Sequence, residues 1–309
     1  MKYWVTLFLM TLYLATVAQK QETVFRAAPD SSQNYYIAIL PDDLPKGLLV
    51  ILPGFGNTPQ RLLTSTDLPI KASKKGYVVI IPLLVAYAKE DTNNIFQNEL
   101  EKLIPEVSKK FNVPSGRFII GGHSLGGQQA FYYAEQAVKK NKQGVIKPNL
   151  LFGVDPPLDL KRMYESCLWT LKSMPNGGKG SEAEFILNRF NHIYGGPPSG
   201  HEETYELASP YSRNMEDGGN IQYLKNIPVR LYSDPDINFY IEHNMPVERM
   251  NLSDISASIV QLGLLGNKNA EYISCLGKGF ENGRRSPHSI SMLDADEFII
   301  WANKMLPKE

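Results

Sequence analysis

FIIGGHSLGGQQAFYYAEQAV, residues 118–138, is the stretch on which the rest of the chain can be ordered. It opens on an apolar run, Phe118 to Gly121, with the residue types of a buried strand, and passes into an amphipathic pattern, Leu125 to Lys140, with helical spacing. Between them lies Gly122-His123-Ser124-Leu125-Gly126, a G-x-S-x-G sequence at a junction of strand and helix. A serine held on so sharp a turn needs a positive φ, and small residues on either side let strand and helix pass closely. Ser124 is therefore the candidate nucleophile, and His123, at the variable position of the turn, is expected to point away from it.

Outward from this turn, short apolar runs alternate with longer amphipathic stretches, the pattern of a parallel sheet flanked by helices. Strands are expected at Tyr35–Leu40, Leu48–Leu52, Tyr77–Pro82, Phe118–Gly121, Leu150–Val154, Val229–Tyr232 and Tyr272–Cys275. Continuous Val, Ile and Leu runs suit strands covered on both faces. Helices are expected at Asn94–Phe111, Leu125–Lys140, Val247–Leu265 and Ile290–Met305. The rhythm breaks over about seventy residues, 157–226, where Gly and Pro pairs interrupt short helical patterns, so this segment reads as a cap inserted into a single domain spanning 19–309. Its aromatics, Tyr164, Trp169, Phe185, Phe190, Tyr194, Tyr205 and Tyr211, either pack the insertion or line a site; packing is preferred because rings carry large burial area.

A serine hydroxyl needs a base, and the base needs an orienting acid. Of five histidines, His192 and His201 lie in the insertion and His243 lies close behind the favoured acid, which leaves His288, in Arg285-Ser286-Pro287-His288-Ser289, just before the last helical stretch. Three carboxylates end neighbouring strands, where ligand sites form in open α/β sheets. Asp236, in Tyr232-Ser233-Asp234-Pro235-Asp236, is preferred; Asp155, in Gly153-Val154-Asp155-Pro156, and Asp234 are the alternatives. Two N–H donors are needed for the oxyanion. The backbone of Leu125, directly after the nucleophile, supplies one candidate, and the turn Pro53-Gly54-Phe55-Gly56-Asn57 supplies the other, with Phe55 preferred to Gly56.

With PGFG at 53–56, GHSLGG at 122–127, YSDPD at 232–236 and PHS at 287–289, the chain resembles the α/β-hydrolase superfamily over nearly its whole length. The resemblance implies an α/β-hydrolase fold: a mostly parallel, doubly wound sheet of eight strands flanked by helices, with a helical cap insertion. It also implies a triad of Ser124, Asp236 and His288, acyl transfer to water through an acyl-enzyme, and no metal or organic cofactor. Many members carry His-Gly at the oxyanion turn, where this chain has Pro53-Gly54. The expected function is a serine hydrolase cleaving a carboxylic ester, small or glycan-linked. A peptidase of the same fold and a non-catalytic module binding carbohydrate or protein on the same scaffold are the other readings, because the fold hosts several functions.

Composition narrows the partners. Thirty-two Lys plus Arg balance 32 Asp plus Glu in 309 residues, and 43% of residues are hydrophobic, which excludes a disordered chain and leaves no basic block for nucleic acid. The first residues, MKYWVTLFLMTLYLATVAQK, carry one cation at Lys2, an apolar run from Tyr3 to Leu14 and the small residues Thr16 and Ala18. They read as a signal peptide, residues 1–18, for a secreted or periplasmic protein without a stable membrane anchor; an uncleaved anchor is the alternative. Cys167 and Cys275 either pair or stay as buried thiols, since a chain this long needs no staple.

Overall fold

The computed structural model describes residues 20–26, 31–84 and 95–307. The expected signal peptide lies outside them. The first half of the chain runs β1 (Gln21–Phe25), β2 (Tyr35–Ile39), β3 (Gly47–Leu52), α1 (Pro59–Ser65), α2 (Leu68–Lys74), β4 (Tyr77–Leu83), α3 (Ile95–Lys110), β5 (Phe118–His123), α4 (Leu125–Lys140) and β6 (Leu150–Val154). Three helices follow without a strand between them: α5 (Leu160–Ser173), α6 (Glu182–Tyr194) and α7 (Glu202–Ala208). The chain then returns through β7 (Val229–Ser233), α8 (Ile237–Glu242), α9 (Asn251–Leu264), β8 (Ala270–Ser274), the short pair β9 (Phe280–Glu281) and β10 (Arg284–Arg285), and α10 (Ala295–Met305).

Among the described residues, β1 to β8 form one sheet in the order β1-β2-β4-β3-β5-β6-β7-β8. β2 runs antiparallel to both β1 and β4, and every pairing from β4 to β8 is parallel. The register aligns Leu52 with Gly122, His123 with Val154, Val154 with Tyr232, and Ser233 with Ser274. Five strand ends therefore share one edge, and the segments after them, 53–57, Ser124, Asp155, 234–236 and 275–288, emerge together.

The period-2 alternation of the strands divides the core. Leu48, Val50 and Leu52 face α3, α4 and α9, which bury Leu100, Leu103, Val107, Phe131, Ala134, Ile255 and Leu262. Leu49 and Ile51 face α1, α2 and α10, which bury Leu62, Leu68, Ala72, Phe298 and Trp301. Each large apolar side chain removed from water contributes about 1.5–3 kcal/mol, so both helical layers are held chiefly by these faces. The insertion has a small core of its own, with Leu160, Tyr164, Cys167, Leu187, Phe190 and Tyr205 packed together. Cys167 and Cys275 are both free and buried, in different clusters. No helix among the described residues is long and apolar enough to cross a membrane.

Two expected helices are shorter than their patterns. Met250 is extended, so the stretch from Val247 divides into a 3-10 turn and α9. Asp294 likewise interrupts the pattern from Ile290: its carboxylate accepts from the N–H groups of Asp296 and Glu297, and α10 starts behind that cap. β1 and α1 were not expected, their amphipathic segments being short.

Glu135 of α4 is fully buried, with neither carboxylate oxygen hydrogen-bonded. Burial drives its pKa far upward, with a minor opposing effect from Lys139. Folding therefore holds the group protonated, and stability falls as pH rises through the ordinary carboxylate value of about 4.3 toward the raised native one. Glu135→Met, close in volume, raises the thermal midpoint at pH 7, and the gain shrinks toward pH 4; calorimetry across that range is the check.

Candidate active site

Ser124 sits between β5 and α4 with φ 53 and ψ −125, a conformation L-residues seldom adopt. Three features impose it. A Cβ on Gly122 would stand 2.4 Å from the Leu52 carbonyl oxygen, and one on Gly126 would stand 2.1 Å from the same atom, so only glycines let α4 descend onto the end of β3. The Ser124 N–H donates to the Val154 carbonyl at 2.9 Å, which ties the turn to β6. Finally, the Gln128 N–H donates to the Ser124 carbonyl at 3.1 Å and starts the helix.

His288 reaches this serine from the far side of the edge. Its Nε2 lies 2.9 Å from Ser124 Oγ, and its Nδ1 lies 2.5 Å from Asp155 Oδ2. A carboxylate only accepts, so Nδ1 carries the proton and Nε2 is left to accept from the serine hydroxyl. Asp155 is itself in the left-handed region, φ 47, with its N–H donating to the Tyr232 carbonyl at 2.8 Å and its side chain buried. Nearly half of the His288 side-chain surface remains exposed, so a solute can approach the pair formed with Ser124.

The acid expected from the sequence is thus replaced. Asp236 does not meet His288; it caps α8 by accepting from the Phe239 N–H at 3.2 Å and pairs with Arg285 at 2.9 Å. Asp234 has a third role. Buried at the end of β7, it accepts from the N–H groups of Gly277 at 3.1 Å and Gly279 at 2.9 Å, and from Arg285 at 2.7 Å. The two aspartates behind β7 are occupied in shaping the loop that carries His288, and Asp155 behind β6 orients the imidazole.

His123 makes a contact that the sequence did not indicate. Its Nε2 donates to the His288 carbonyl at 2.7 Å, and the two rings lie 4.9 Å apart. A carbonyl can only accept, so His123 holds its proton on Nε2 and braces the backbone of the base. The turn at 53–57 closes on the same ring: a Cβ at Gly54 would stand 2.9 Å from His123 Nδ1. That turn is set by the Asn57 N–H donating to the Gly54 carbonyl, and the Phe55 ring packs 5.0 Å from Phe185 of α6. Leu125 opens α4, where the first N–H groups of a helix have no acceptor within it. The aromatics of the insertion divide accordingly. Tyr164, Phe190, Tyr194 and Tyr205 pack on one another, while Phe185 and Trp169 keep exposed faces.

No protein-family model and no curated protein matches the sequence. Solved structures do match the fold. A carboxyl esterase of Tuber melanosporum superposes with a TM-score of 0.59 over 97% of this chain and 90% of its own, at 16% identity. An esterase of Rhizomucor miehei gives 0.61 over 93% and 84%, at 15% identity. An acylaminoacyl peptidase of Pyrococcus horikoshii gives 0.55 at 15% identity, covering 95% of this chain but 43% of the peptidase. This is the α/β-hydrolase fold.

Within the hydrolase fold the two histidines of the site are set to opposite charge preferences. Desolvation, followed by the neighbouring His288, pushes His123 down to about 3, so it stays neutral. For His288 desolvation is the largest single influence and acts downward, but the hydrogen bond and charge of Asp155, with smaller help from Glu182 and Glu281, outweigh it and raise the pKa. An NMR titration of the imidazoles therefore finds His288 above 6.5 and His123 uncharged throughout. Asp155→Asn lowers the His288 pKa, because the hydrogen bond and charge of Asp155 are the chief influences that raise it, whereas Asp236→Asn leaves it close to its native value.

Asp155 was legible as one of three carboxylates at strand ends. Asn251, which donates to the Asp155 carbonyl at 2.9 Å, was not, since nothing in its local sequence ties it to a strand end 96 residues away.

Proposed function

We propose that the chain is a serine hydrolase that cleaves carboxylic esters, with Ser124 as nucleophile, His288 as base and Asp155 as the acid that orients it. The observation that carries this reading is the imidazole of His288 bonded at once to Ser124 Oγ and to a buried carboxylate, at 2.9 and 2.5 Å. Ser124 Oγ attacks the ester carbonyl while its proton passes to Nε2. The resulting imidazolium is stabilised by ionised Asp155, and the oxyanion is met by the backbone N–H groups of Leu125 and Phe55. His288 then returns the proton to the departing alkoxide oxygen. Water, activated by the same nitrogen, cleaves the acyl-enzyme and regenerates the serine.

The exposed faces of Phe185 and Trp169 lie on the insertion, and Phe185 touches the oxyanion turn. Phe185 there favours an apolar or aromatic group beside the scissile bond, on a small or glycan-linked ester. The first residues support export to the periplasm or the medium.

Ser124→Ala removes turnover of a p-nitrophenyl ester and labelling by a fluorophosphonate. Asp155→Ala lowers kcat by about 10³–10⁴-fold, as expected when the base loses its tautomer and orientation. Asp236→Ala stays within about tenfold of the parent, since the acid has not been touched. Wild-type rates after Ser124→Ala would sink the proposal. The acidic limb of the profile of kcat/KM against pH follows from the sign of the His288 shift. The imidazolium cannot accept a proton, so activity is lost on acidification through an inflection above pH 6.5. Ester, thioester and peptide substrates compared in one assay separate an esterase from a peptidase.

A further inference from the structure

Asp155 is held at a positive φ on the turn Asp155-Pro156-Pro157-Leu158-Asp159, and two prolines in that turn remove N–H groups that could anchor it. Beyond the Asp155 N–H bond to the Tyr232 carbonyl, its anchors come from α9. Asp254, with no exposed surface, accepts from the N–H groups of Leu158 at 3.2 Å and Asp159 at 3.1 Å, and so fixes the far end of the turn. Asn251, one turn earlier on α9, fixes the near end: its Nδ2 donates to the Asp155 carbonyl at 2.9 Å and stands 3.5 Å from Oδ2. The amide has one possible orientation. Arg162 Nη2 donates to Asn251 Oδ1 at 2.9 Å, and a guanidinium offers only donors, so the amide NH₂ must turn toward Asp155. Arg162 is in turn locked by Asp254, Ser166 and the Arg249 carbonyl.

We propose that Asn251 is a positioning residue for the acid, fixing the Asp155 backbone and through it the Asp155 to His288 bond, with Arg162 of the insertion dictating which face of the amide does so. This rests on the triad reading given above. Two variants divide the roles of the amide. Asn251→Ala removes both the donor and the acceptor that Arg162 uses. Asn251→Asp keeps an oxygen for Arg162 but turns a carboxylate toward Asp155.

The test measures kcat and KM for a p-nitrophenyl ester, and the His288 pKa by NMR, on the full chain of both variants. A misplaced acid lowers kcat by about ten- to a hundredfold in each variant with KM little changed, because substrate contacts are untouched. His288 titrates lower in Asn251→Ala, where the Asp155 bond loosens, and higher in Asn251→Asp, where a negative charge is added nearby. A merely structural residue would lower the thermal midpoint and leave kcat per folded molecule in both variants, and the His288 pKa in Asn251→Ala, at wild-type values. Folded variants with wild-type kcat, together with an unshifted His288 in Asn251→Ala, overturn the proposal. The titration needs no turnover: if no ester is hydrolysed even by the wild type, the proposed function fails while opposite pKa shifts still support the positioning role.

Discussion

The approach of α4 to the end of β3 is the constraint on which the rest of the structure depends. The Leu52 carbonyl occupies the space where a side chain would stand on either Gly122 or Gly126. Only with both glycines can the helix begin immediately after the strand, and that abrupt start forces Ser124 to φ 53. A conformation of this kind costs about 1–3 kcal/mol and persists where its surroundings over-determine it. Here they do so through the N–H bond to Val154 below and the helix bond from Gln128 above. The side chain is thereby lifted clear of the sheet edge, at the place where parallel strands deliver their loops.

Asp155 occupies the same kind of position one strand over, with the same sign of φ and a matching tie to its neighbour. Ser124 N–H binds the end of β6, and Asp155 N–H binds the end of β7. Successive strand ends are thus stitched together by the first residue beyond each, which fixes Ser124 and Asp155 relative to the sheet. His288 comes from a longer loop that needs separate support. Asp234 and Arg285 gather that loop from within, and His123 holds the carbonyl of the base from beneath. With Arg285 seated between Asp234 and Asp236, neither carboxylate is available to the imidazole. The acid behind β6 is a consequence of how the loop behind β8 is pinned.

Much of this was legible in the chain because it is local. The elbow is a five-residue motif, and α4 and β6 fall at the expected residues because the change of hydrophobic period and the continuous apolar run mark them directly. His288 follows from chain order. The choice among Asp155, Asp234 and Asp236 was not legible, since all three satisfy the local condition of following a strand. What separates them is Arg285, about fifty residues downstream of the two behind β7, and no local pattern records that pairing. The contact of His123 was not legible for a related reason: its place in the motif indicates direction relative to the serine but says nothing of the carbonyl arriving from residue 288.

The insertion is bound to the core through charge as well as apolar surface. Arg162 and Arg213 face Asp159 and Asp254, two cations against two anions, and Asp254 and Arg162 are almost wholly buried. Burying such a set gains little over apolar packing, yet removing one member strands a charge at about 3–5 kcal/mol. Its worth therefore lies in directional bonds: Arg162 and Arg213 both reach Asp254, which sets how α5 seats on α9. That seating also anchors the turn that carries Asp155. The apolar contacts within the insertion, by contrast, join α5 to α6 and α7. The half of the insertion nearest the acid is thus held by directional bonds that tolerate little displacement, and the half bearing Phe185 is held by packing, which is where a fold of this kind can vary the shape of its site without disturbing the acid.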